Sequence, residues 1–133
     1  PGTLVEDDQL FYTITNNQVS KIKITAQGGP EWNFNLAYTN GNLTKVTAEG
    51  PIVYTAEFTF GNKKAIYPKV TGYVLDQAGF SLLFSANHEI LKADFDFPGT
   101  THDYTTSNTY TYDSNGYVLT SNDGDTQQVF AYQ

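Results

Sequence analysis

The feature that most constrains this chain is a recurring unit: an aromatic-rich strand, an Asn-containing turn, then an aliphatic strand carrying Thr or Lys. The unit reads most clearly from Phe34 through Tyr38, Asn40-Gly41 and Leu43 to Thr47. It returns from Tyr110-Thr111-Tyr112 through Asn115-Gly116 to Val118-Leu119-Thr120, and in looser form from Phe11 through Asn16-Asn17 to Ile22. Asn-Gly between alternating strands is a strong short-range hairpin signal, because both turn residues must tolerate positive φ. The repeat sets an architecture, a run of β-hairpins, without setting a chemistry.

There are about five such units, spaced by roughly 22–28 residues, the period of a repeat architecture in which each unit leans on its neighbours. Their first strands centre near Tyr12, Tyr38, Phe58, Phe84 and Tyr112. Turns are expected near Asn17, Asn40-Gly41, Gly61-Asn62, Asn87-His88 and Asn115-Gly116, with a last strand over Gln128 to Tyr132. Within strands the pattern alternates. Phe34, Leu36 and Tyr38 share a face, as do Tyr54, Ala56, Phe58 and Phe60, and Leu91, Ala93, Phe95 and Phe97; Glu57, Lys92, Asp94 and Asp96 fall on the opposite faces. A sheet with one apolar face must cover it, and with almost no helical signal the expected solution is a sheet that curls on itself. Lys63 to Phe80 breaks the rhythm. It reads as an excursion with a short helical turn around Tyr73 to Gln77, apolar enough to cap an open barrel end.

Composition narrows the partners. The chain has 133 residues and a net charge of −7. Its basic residues are seven Lys with no Arg, so no bidentate guanidinium contact to a base or phosphate is available. Nucleic acid and anionic membrane surfaces are therefore not expected partners. The absence of Cys excludes disulfides, thiol nucleophiles and Cys-based zinc sites. No apolar run reaches the ~18–20 residues of a transmembrane helix. Lys21, Lys23, Glu57, Asp94 and Asp96 interrupt the unbroken apolar faces that a membrane-spanning barrel needs. Pro1-Gly2 without an initiating Met reads as a processed or trimmed start, so the chain is expected to be the mature part of a longer exported precursor.

Motifs that carry catalysis are missing. His88-Glu89 and His102-Asp103 are expected in a turn and a loop, with none of the spacing of a metal site. No Gly-x-Ser-x-Gly elbow is present. Glu31, Glu49, Glu57 and Glu89 are glycosidase candidates by residue type alone, and alternation turns Glu57 to the wet face. Asp113 to Gly116 and Asn122 to Asp125 resemble calcium loops faintly and read better as turns. No catalytic residue, metal or cofactor is assigned. The binding chemistry on offer is aromatic. Trp32, the sole Trp, follows Gly28-Gly29-Pro30 just before a strand, and Tyr104, Tyr110, Tyr112 and Tyr117 could line a groove. The competing reading is that Trp32 packs over a barrel end and that the tyrosines form cross-strand pairs.

Three stretches carry a resemblance: Asn40 to Val46, Phe60-Gly61-Asn62-Lys63-Lys64 leading to Tyr67-Pro68, and Tyr112 to Tyr117. The Tyr-x-Tyr-Asp-x-x-Gly-Tyr unit from Tyr110 resembles the YD-type repeats of bacterial cell-surface proteins. The whole pattern resembles small Bacteroidetes cell-envelope lipoproteins of unknown function, with a porin-like β-meander fold. The resemblance implies export, a lipid anchor on a Cys upstream of Pro1, and an outer-membrane or periplasmic location. It carries over no catalytic residue.

The expectation is a single all-β domain over residues 1–133, an antiparallel meander of about eight to ten strands, curled or closed into a small barrel-like shell. The leading functional reading is a non-catalytic envelope protein with a ligand-binding or structural role. Its partner would be a glycan, an apolar small molecule or another envelope protein. The alternatives are a small carbohydrate-active hydrolase using a carboxylate pair, and a lipocalin-like carrier of an apolar small molecule.

Overall fold

The computed structural model describes residues 9–66 and 86–132. They form ten strands with no helix among the described residues: β1 (Gln9–Thr15), β2 (Gln18–Thr25), β3 (Glu31–Thr39), β4 (Asn42–Glu49), β5 (Tyr54–Lys64), β6 (His88–Asp96), β7 (Tyr104–Ser107), β8 (Thr109–Tyr112), β9 (Val118–Asn122) and β10 (Gln127–Val129). Strands β1 to β7 make one antiparallel sheet in strict chain order, and β8 to β10 make a second, three-stranded one. The all-β meander is thus as the repeat implies. The sheet does not close into a barrel, because β1 and β7 are opposite edges and pair with each other nowhere among the described residues.

The first two hairpins show what the repeat encodes. Asn16, Asn17, Asn40 and Gly41 all take positive φ, between 51° and 78°, as two-residue turns matched to strand twist require. Beyond each turn lies the same irregularity: the register slips past Ser20 in β2 and past Thr44 in β4. In both, the slipped hydroxyl donates back to the facing strand's carbonyl, Ser20 to Thr13 and Thr44 to Ala37. Each also meets a Thr hydroxyl before the turn, Thr15 or Thr39. The bulge is therefore part of the repeated unit, with its extra residue satisfied locally.

Of the other expected turns, the one at Asn115-Gly116 is present with a different geometry, and those at Gly61-Asn62 and Asn87-His88 are not hairpin tips. At Asn115-Gly116 only Gly116 has positive φ. The connection is a turn closed by Gly116 N–H donating to the Asp113 carbonyl, with the Asp113 side chain accepting from Asn115 N–H and Tyr117 N–H. Asp123 accepts in the same way from the Asp125 and Thr126 N–H groups, so both calcium-like stretches are side-chain-stabilised turns. Gly61-Asn62 is no turn at all; it lies inside β5. His88 and Glu89 lie in β6, not at a hairpin tip, and the loop before β7 ends at Asp103. The strand centre at Phe84 and the helical turn at 73–77 lie outside the described residues.

The apolar faces meet as alternation predicts. Ile22, Phe34, Leu36, Leu43, Val46, Ala48, Ala56, Phe58 and Ala93 form the buried cluster, with Trp32, Tyr38, Tyr54, Phe60 and Phe95 packed against it. The opposite face carries exposed ion pairs, Lys23–Glu31, Lys45–Glu57 and Lys92–Asp94, each worth little to stability.

Between β4 and β5 the chain turns at Gly50, where φ is 138° and a Cβ would sit 2.7 Å from the Glu31 carbonyl oxygen. Both the conformation and the contact demand glycine. Gly50→Ala is expected to cost about 1–3 kcal/mol, read as a lower urea midpoint at unchanged m-value.

Candidate functional site

Two places bring chemistry-bearing side chains together: a polar seam where the two sheets meet, and an aromatic row on the apolar face of the large sheet.

The seam begins with an irregularity in β5. Pairing with β6 slips between Phe60 and Lys64, leaving residues 61–63 outside the ladder. The freed Lys63 N–H donates to Glu89 Oε2 at 2.8 Å. Glu89 Oε1 accepts from the Tyr112 hydroxyl of the second sheet at 2.9 Å. Glu89 is only 4% exposed, and a buried carboxylate requires such donors. The space it fills exists because residue 61 is glycine: a Cβ there would lie 2.1 Å from Glu89 Oε1. Three more contacts hold the seam. Asn108 N–H and the Tyr110 hydroxyl donate to the Leu91 and Ile90 carbonyls, and the Lys64 ammonium sits 3.8 Å from the centroid of the Tyr117 ring, a cation–π contact. Beside it, buried Asn42 accepts from the Asn87 and His88 N–H groups and meets His88 Nδ1 at 3.1 Å, which ties the start of β6 to the turn between β3 and β4.

A small cavity adjoins Glu89, lined by Ala65, Ile66, Ala86, His88, Ile90 and Tyr110. Its volume of about 10 Å³ is room for one water. Burial, then the hydrogen bond and charge of Glu89, push the Tyr112 hydroxyl up to about 12. Burial and the Glu89 charge do the same to Tyr110, also to about 12.

The aromatic row runs along one end of the large sheet. Tyr104 of β7 stacks on Phe95 of β6, its direct register partner, with centroids 4.5 Å apart and planes 11° from parallel. Phe97 stacks on Tyr104 at 6.3 Å, and Tyr54 tilts against both phenylalanines. Burial and the neighbouring Tyr104 raise the Tyr54 hydroxyl above its ordinary value. Tyr104 itself is 49% exposed.

The five aromatic residues singled out in the sequence do not line one groove. Trp32 lies within β3 rather than in the loop before it, stacks on Phe34 and packs against the core. Tyr104 belongs to the row. Tyr110, Tyr112 and Tyr117 sit at the seam, where the first two spend their hydroxyls on holding the sheets together. Glu89 was one carboxylate among several in the sequence, and its signal was Gly61: a glycine inside an alternating strand marks a close approach. Among the described residues no three His, Asp or Glu side chains gather to hold a metal. No family model, curated protein or solved structure matches this chain.

Two outcomes follow from the seam. Below pH about 10 both tyrosines stay protonated, folded or unfolded, and their contribution to stability is complete. Above it the unfolded chain releases protons that the folded chain retains, so stability falls between pH about 10 and about 12. Tyrosinate absorbance and urea unfolding over that range read both effects. Tyr112→Phe should cost about 1–3 kcal/mol and couple to Glu89→Gln by at least ~0.5 kcal/mol in a double-mutant cycle.

Proposed function

We propose that this domain is a non-catalytic binding module of the cell envelope that takes a glycan on the aromatic row. The observation carrying the reading is the Tyr104–Phe95 stack, flat, half-exposed and extended by Phe97 and Tyr54. A planar aromatic surface with hydroxyls at hand suits the apolar face and polar rim of a sugar ring. The row reaches edge strand β7, beyond which no further strand of the sheet lies among the described residues.

The carboxylates favour binding over hydrolysis. Both oxygens of Glu89 are engaged in the seam, and Glu57 pairs with Lys45 on the exposed face, so neither is placed as half of an acid–nucleophile pair. The cavity beside Glu89, with room for one water, is not itself a carrier site. Envelope location rests on the repeat's resemblance to envelope lipoproteins and on the Cys-free composition rich in Thr, Asn and Tyr.

A thermal-shift panel of soluble host and dietary glycans, with bile acids and fatty acids alongside, tests the reading. At about 100 times its Kd a glycan should add ~2.7 kcal/mol and raise the melting point by several degrees. Tyr104→Ala should abolish that rise, on an unliganded melting point lowered by a few degrees through the lost stack on Phe95. A glycan that stabilises both forms equally places binding elsewhere. Silence across the panel replaces the glycan with a protein partner.

A further inference from the structure

Among the described residues, strand β1 is an unguarded edge, paired on one side to β2 and on the other to no strand. All seven of its residues are exposed, including Phe11 at 52% and Ile14 at 67%. It contains no Lys, Asp, Glu, Pro or Gly, the residues by which edges are blunted against pairing. Nor is it shortened or bent: in its hairpin the extra residue, Ser20, belongs to β2. The other strands at sheet edges are short, four residues in β7 and β8 and three in β10.

We infer that β1 is a self-recognition edge, pairing antiparallel with β1 of a second copy about a two-fold axis between the two Tyr12 residues. Register selects that axis. A slip by one residue would turn the partner's apolar face to the opposite side. Of the registers that keep both apolar faces together, centring on Tyr12 pairs all seven residues. On the apolar face, Leu10 then opposes the partner's Ile14 and Tyr12 opposes the partner's Tyr12, continuing the surface begun by their β2 partners Ile22, Ile24 and Val19. On the other face Phe11 opposes the partner's Thr13, and at the ends Gln9 opposes Thr15. No charge meets a like charge, although the chain carries −7, and aromatic and β-branched cross-strand pairs are favourable. The match is isologous, so it closes at two copies.

The test uses charge at the axis. Sedimentation velocity of the whole chain over a dilution series should show a monomer–dimer equilibrium. Tyr12→Lys and Tyr12→Glu each set like charges against each other across the axis and should weaken the dimer about tenfold or more. An equimolar mixture of the two variants should restore it as a heterodimer, a rescue that misfolded variants cannot give. A wild-type chain that stays monomeric up to about 1 mM overturns the inference. So do variants that dimerise like wild type, a mixture that fails to recover the dimer, or open-ended oligomers in place of a closed pair.

Discussion

A buried carboxylate stands at the centre of the seam between the two sheets. Glu89 takes the N–H that the β5 irregularity releases from the ladder and, on its other oxygen, the hydroxyl of Tyr112. The contacts are interdependent. With a Cβ at residue 61 the carboxylate would have to shift, without the slipped register Lys63 N–H is not free, and without Tyr112 the second sheet loses one of its polar tethers. Burial of a charge-bearing group is costly unless each acceptor finds a donor. That requirement turns one side chain into a specification for the relative position of β5, β6 and β8.

Away from the seam the molecule divides its labour by face. The apolar side of the large sheet gathers the core and ends in the aromatic row, while the other side spreads its charges as pairs along the register. Because the sheet stays open, the two edges are free to differ. One is long, uncharged and regular; the other is short and flanked by rings. A closed barrel would have erased both.

Much of the large sheet was legible in the sequence. Alternation at Phe34-Leu36-Tyr38 and at Tyr54-Ala56-Phe58 named the buried face correctly, because side chains in a strand have a period of two. Asn16-Asn17 and Asn40-Gly41 named their turns because few residues accept positive φ. Gly61-Asn62 misled for the same reason: glycine also serves where a neighbouring group comes close, and turn grammar cannot separate the two uses. Whether the sheet is curled or closed was left open by the sequence, because an apolar face states that it must be covered without stating by what. The aromatic row was half-visible. Tyr104 stood out, but its stacking partner Phe95 is contributed by the neighbouring strand through a register that only pairing reveals. Tyr110 and Tyr112 looked like a binding surface, since a hydroxyl committed to a buried acceptor reads the same in sequence as a free one.

The strict chain order of the large sheet has a mechanical consequence. In its hydrogen-bond ladders each strand of the large sheet pairs with its predecessor and successor. Tension between the two ends of such a chain acts across the strands and loads one hydrogen-bond ladder at a time from the edge inward. Each bond yields separately at its modest net value, whereas strands pulled along their length would resist together. Loaded in this way, the large sheet would unzip from β1 inward as far as β5 and β6, which the seam also ties to β8. The β1–β2 and β3–β4 pairings, which are local in sequence, re-form most readily when the load is released, whereas β5–β6 must first close a longer loop.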